Sequence, residues 1–195
     1  MGTETAMHST GSPPAAGPRT DHRERIAASL QRLRETVRAR PTVGRRTARS
    51  VVTLGDGLRC VSTVQSWDVA CDLPPALGGE RTAPTPSQLV QAALGACLAM
   101  CYQLRAAELD VELTSVTVTV ESDSDVSGLL SLRSESAGFA GLRYHVDIES
   151  PADPATVAAL VDSADRRSPV LADLTRPLAI DRTVSVSSPS SSVGR

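Results

Sequence analysis

The sequence has no lysine. All twenty of its basic residues are arginine, set against twenty-two Asp and Glu for a formal net charge of −2. A balance so near neutrality creates no overall field toward nucleic acid or acidic lipid. The arginine bias reads as a genome's composition rather than a recognition code, because what separates Arg from Lys is local geometry. Aromatics are scarce, with one Trp, two Tyr and one Phe in 195 residues, which excludes stacking platforms for single-stranded nucleic acid. Four cysteines do not make a disulfide scaffold in a chain of this size. The first forty residues carry no leader-like apolar run, which points to a reducing cytoplasm. Histidine is also rare, and His145 falls on the polar side of a strand with no second His beside it, so neither a metal nor another cofactor is expected.

What the chain does have is one long uncharged segment, Thr82 to Leu104. It opens with a helix-start signal. Thr85 is placed to cap, Pro86 takes the first helical position, and Gln88 three residues after Thr85 completes a capping box. The segment is about membrane-spanning length, but Gln88, Gln91, Gln103, Gly95 and many Ala make it a core helix rather than a span. Being apolar nearly all round, it belongs inside something. Cys97 and Cys101 lie one turn apart on one of its faces.

The rest of the chain supplies candidates for that cover. Residues 1–20, rich in Gly, Pro, Ser and Thr, read as a disordered tail. Ile26, Leu30, Leu33 and Val37 recur at helical spacing, so an amphipathic helix is expected over 21–41. Arg46 to Leu54, the turn Gly55-Asp56-Gly57 and Leu58 to Gln65 form a hairpin pattern. Trp67, Val69, Cys71 and Leu73 then alternate with polar or small residues as on a half-buried strand, and Pro74-Pro75 end it. Cys60 and Cys71 read as small apolar residues on strand faces. Ser115 to Glu121 and Leu142 to Ile148 alternate as one-sided strands around a polar excursion, 122–141. Asp153 and Pro154 start a second amphipathic helix that ends at Arg166-Arg167-Ser168-Pro169, and Val170 to Leu174 make a short helical turn. Leu178 to Val186 reads as a last strand, before a disordered tail over 187–195. The fold class is therefore α+β, with mostly antiparallel sheet around a long buried central helix. One domain of this size does not cover such a helix on every side, and a second copy would.

The run PTPSQLVQAALGACLAMC resembles the central-helix motif of the OsmC/Ohr family, in which P-x-x-L-x-x-A-x-x-x-x-C carries the reactive cysteine. Downstream, RRSPV resembles the family's second motif, in which a cysteine precedes Pro-Val. The resemblance covers 42–186 and implies an OsmC-like, intertwined homodimer. It further implies a thiol peroxidase acting on organic hydroperoxides, with an external thiol as reductant and an oxidative-stress role. By position Cys97 is then the nucleophile, and Ser168 stands where the family has its resolving cysteine. Ser87 and Gln88 occupy the place of an acidic residue. Arg59 and Arg81 are the candidates for the arginine that stabilises the thiolate. Burial raises a thiol's pKa above about 8.5 and a mid-helix position gains little from the dipole, so this chemistry requires such a cation. Cys101, about 6 Å away by Cβ spacing, is a candidate resolver, although the helix would have to strain for the bond to form. Two other readings stand beside the peroxidase. One is a dimer that binds a small apolar or oxidised ligand at the subunit interface without the peroxidase cycle. The other is a soft-metal or redox-sensing site at Cys97 and Cys101, for which two thiols are too few to close a tetrahedral set.

Overall fold

The computed structural model describes residues 19–132 and 137–187. Its elements are α1 (Arg19–Ala39), β1 (Ser50–Leu54), β2 (Cys60–Val64), β3 (Trp67–Cys71), α2 (Pro86–Leu109), β4 (Ser115–Ser124), α3 (Val126–Leu129), β5 (Phe139–Glu149), α4 (Pro154–Asp165) and α5 (Pro169–Thr175). Residues 1–18 and 188–195 of the two tails lie outside the described residues, and Arg19 and Thr20 open α1 instead of preceding it.

The central helix is α2, and its capping box forms as its sequence dictates. Gln88 N–H donates to Thr85 Oγ1 at 3.3 Å, and Thr85 N–H donates to Gln88 Oε1 at 2.9 Å. At the other end Asp110 takes the left-handed conformation (φ 55°) that closes the helix. Leu94, Leu98, Tyr102 and Ala106, four residues apart, are fully buried and meet Leu113, Leu160 and Ala164 in one apolar cluster. β4 and β5 pair antiparallel and present Val116, Val118, Val120, Tyr144, Val146 and Ile148 to that cluster. Gly95 faces this ladder, where a Cβ would sit in ordinary contact, 3.4 Å from Val120 Cγ2. Burial of the four α2 side chains and Leu160 removes their apolar surface from water and so stabilises this cluster.

Cover is one-sided. Met100 and Leu104 of α2 remain exposed at 65% and 39%, although the apolar sequence predicts a helix buried all round. By length and composition α2 could also cross a bilayer, but its Leu94–Ala106 stripe packs into this core. α1 docks on α2, with Arg23 paired to Asp110 at 3.0 Å and Arg34 paired to Glu108. Ile26, Leu30 and Val37 are half-buried there, while Leu33 of the same stripe is exposed.

β1, β2 and β3 form a separate antiparallel sheet in that order. Its register puts Val52, Leu54, Cys60, Val64, Trp67, Val69 and Cys71 on one face. Most of that face is open, and Trp67 is 73% exposed.

Two expectations are corrected. Leu178 to Val186 forms no strand: the segment is irregular and exposed, with Ile180 at 89% and Val186 at 92%. Among the described residues its period-two pattern pairs with no strand of either sheet. The polar excursion is also shorter than 122–141, because β4 runs on to Ser124 and β5 begins at Phe139. Arg143 bridges to Glu121 (2.9 Å) and Asp123 (2.6 Å) across the ladder, so cross-strand ion pairs carry the polar ends as strand.

Candidate active site

Cys97 lies half-buried on α2, one turn before Cys101. Ser168 caps α5, its Oγ accepting from Leu171 N–H at 3.4 Å, and its side chain is buried. The turn between α4 and α5 brings this hydroxyl to 3.4 Å from the Cys97 sulfur. Residues 71 positions apart thus meet where the resemblance places the two sulfurs.

Cys101 sits deeper. Burial first, then Cys97 and the Asp165 carboxylate, push its thiol up to about 11, against a lowering contact from Ser168. It is protonated at neutral pH and a poor nucleophile there.

Behind the sulfurs lies a polar triad that the sequence pattern did not single out. Tyr102 and Tyr144 both donate from their hydroxyls to Asp165, at 2.8 Å each, one to each carboxylate oxygen. Burial and the Asp165 carboxylate raise the Tyr144 hydroxyl to about 12 and that of Tyr102 further still. Both stay protonated and fix Asp165, three residues before Ser168, against α2 and β5. The only advance signal was that both tyrosines of so aromatic-poor a chain lie in core elements.

The Gln88 side chain is held in the capping box, accepting from Thr85 N–H. Ser87 lies exposed in the first turn of α2. Arg81 and Arg59 lie on either side of buried Asp72. Arg81 lines a groove of about 860 Å³ with Thr85, Gln88, Leu89 and Ala92, and Arg59 lines one of about 520 Å³ near the β1–β2 turn. Among the described residues, no guanidinium hydrogen-bonds to Cys97 or Cys101.

Asp72 is the organiser that sequence reasoning missed. It is 2% exposed and accepts from the backbone N–H of Leu73 (2.7 Å), Glu80 (3.3 Å) and Thr82 (2.9 Å), and from Thr82 Oγ1 (2.9 Å). The Thr82 N–H leads the interactions that hold its carboxyl below the usual range. These bonds fold 73–82 back so tightly that a Cβ on Gly79 would overlap the Leu73 carbonyl. Arg81 takes a left-handed φ of 57° in that loop. Asp72 is one of the residues that alternate with Trp67, Val69, Cys71 and Leu73, and alternation alone gives it no role.

Elsewhere, His145 is exposed and pairs with Asp147 at 3.2 Å. Among the described residues, no three metal-ligating side chains gather into one set.

The model of the family described as OsmC-like protein matches residues 78–182, more than half of the chain. The chain belongs to the OsmC-like protein family. Solved structures agree on the fold. An OsmC-like protein from Mycoplasma pneumoniae superposes with a TM-score of 0.57 at 14% identity, covering 67% of this chain and 88% of that one. An organic hydroperoxide resistance protein from Legionella pneumophila gives 0.53 at 22% identity, covering 66% and 89%. A protein from Psychrobacter arcticus, titled a putative osmotic stress induced and detoxification response protein, gives 0.54 at 16% identity, covering 66% and 88%. No curated protein matches the sequence. In this OsmC-like chain the matched segment runs from the Asp72-braced loop through α2 to the residues after α5, and so contains both Cys97 and Ser168.

Proposed function

We propose that this OsmC-like protein reduces organic hydroperoxides with Cys97 as the attacking thiol and an external thiol as the resolving partner. The observation that carries the reading is the contact between the Cys97 sulfur and Ser168 Oγ, 3.4 Å, on the family's central helix. Relatives of the same fold titled organic hydroperoxide resistance proteins support it. The ionised sulfur attacks the O–O bond, takes the hydroxyl as sulfenic acid, and the alkoxide leaves as alcohol after taking a proton. An external thiol then condenses with the sulfenic acid, releasing water, and a second thiol frees Cys97. The high pKa of Cys101 favours the external thiol over this neighbour as resolver.

The working form in this reading is a cytoplasmic homodimer. A second copy would cover the exposed Met100 and Leu104 of α2 and the alternating Leu178, Ile180, Val184 and Val186. It would also carry Arg59 or Arg81 to the sulfur, the cation this chemistry needs. Light scattering of the purified protein should give twice the 20.4 kDa chain mass. Stopped-flow mixing with an alkyl hydroperoxide should show consumption that Cys97→Ser abolishes, and equal slow rates would end the peroxidase reading.

A second reading is a family dimer that binds a small apolar or oxidised ligand without turnover. It is favoured by the hydroxyl at Ser168 and by the groove beside Arg81. It predicts no dimedone-trapped sulfenic acid at Cys97 after mild peroxide.

A further inference from the structure

The β1–β3 sheet carries a second pair of sulfurs. Cys60 opens β2, Cys71 closes β3, and the register sets them directly opposite each other on the same face. Both are free thiols, Cys60 half-buried and Cys71 buried. Residues opposite on antiparallel strands hold Cβ atoms about 4.5–5.5 Å apart, against about 3.5–4.5 Å in a disulfide. A closure of about an ångström therefore joins them. The thiol of Cys71 is pushed up by burial and then by the Cys60 sulfur, which places the two close enough to influence each other.

We propose that Cys60 and Cys71 form a second redox site, a cross-strand dithiol that a hydroperoxide converts into an intrachain disulfide. Cys60, the more reachable sulfur, attacks the O–O bond and takes the hydroxyl, while the alkoxide leaves as alcohol with the Cys60 proton. The Cys71 sulfur then attacks Cys60, the S–S bond forms, and the hydroxyl departs as water with the Cys71 proton. The two thiols lose two electrons in all and the peroxide gains them. The setting of the bond gives it a consequence. Cys71 directly precedes Asp72, whose carboxylate holds the loop carrying Arg81, so the disulfide pins the strand from which that loop hangs.

The site is independent of Cys97, and digestion separates the two. Trypsin releases Cys60 and Cys71 together in the peptide Cys60–Arg81, and Cys97 with Cys101 in Thr82–Arg105. The full-length reduced protein is treated, folded, with stoichiometric hydrogen peroxide or cumene hydroperoxide, then alkylated after unfolding and digested. The first peptide should lose both alkylation sites and become lighter by two hydrogens. Chymotryptic cleavage after Trp67 should leave its halves joined until dithiothreitol is added. The same result is expected in Cys97→Ser, and in Cys60→Ser the Cys71 thiol should remain alkylatable. Full alkylation of both cysteines after oxidation would overturn the proposal. So would oxidation of Cys60 to an acid without Cys71, or a bond between two copies of the chain.

Discussion

The Cys97 sulfur and the Ser168 hydroxyl stand 3.4 Å apart, joining the middle of α2 to the first turn of α5. A hydroxyl cannot close a disulfide, and in this contact either the Cys97 thiol or the Ser168 hydroxyl can donate. Ser168→Cys is expected to restore the missing partner. One equivalent of alkyl hydroperoxide should join positions 97 and 168, read by non-reducing peptide mapping, and a dithiol reductant should then sustain turnover several-fold above wild type. The same change weakens the α5 cap, at about 0.5–2 kcal/mol of stability for a lost serine cap, visible as a lower urea midpoint.

The triad of Tyr102, Tyr144 and Asp165 makes its own prediction. Tyr102→Phe removes one of the two hydroxyls held by Asp165 from a fully buried position. It should cost about 1–3 kcal/mol, the penalty for leaving a buried acceptor short of a donor. Tyr144→Phe, at a half-buried site, should cost less. Leu98→Ala, in the centre of the cluster, should exceed both at about 2–5 kcal/mol. Urea unfolding followed by circular dichroism would rank the three, and a larger loss from Tyr144→Phe than from Leu98→Ala would contradict this picture of the core.

Alkaline pH should destabilise the fold through the same groups. Cys101 and Tyr144 are raised to about 11 and about 12, and Tyr102 further. In each case the native state keeps a proton that the unfolded chain gives up earlier. Stability is therefore full below the unfolded values near 9 and 10 and falls as pH rises through the folded ones. Thermal midpoints measured from pH 8 to 11 should decline, and Tyr144→Phe should flatten the upper part of that decline.

Asp72 works in the opposite direction. Its carboxyl is held below the usual value of 3.8 by the N–H groups of the loop, so its contribution is present above that pH and lost as pH falls through the lowered value. Asp72→Ala should release 73–82. Limited trypsin digestion at Arg81 should then run several-fold faster than in wild type while circular dichroism stays unchanged. No difference in cleavage would show that the loop holds its shape without the carboxylate.

Much of this protein was legible along the chain. The capping box at Thr85 and Gln88, Pro154 after Asp153, and the valine–threonine alternation from Ser115 are local signals, and each produced the expected element. The motif around Cys97 and the RSPV run marked the two ends of the sulfur–hydroxyl contact for the same reason, since both are short runs of adjacent residues. The pattern at Leu178 to Val186 also alternates, but Arg182 falls on its apolar phase and the segment pairs with no strand among the described residues, since alternation by itself does not supply a pairing partner.

Local order along the chain sets where helices start, which strand faces are apolar, and which thiols sit on the central helix, because each depends on neighbours within a few residues. It takes the folded chain to bring two tyrosines onto Asp165, to let Asp72 tie a loop of ten residues, and to set Cys60 opposite Cys71. Those meetings depend on register and on the crossing of distant elements, whose geometry is set by packing of the whole core rather than by any local preference.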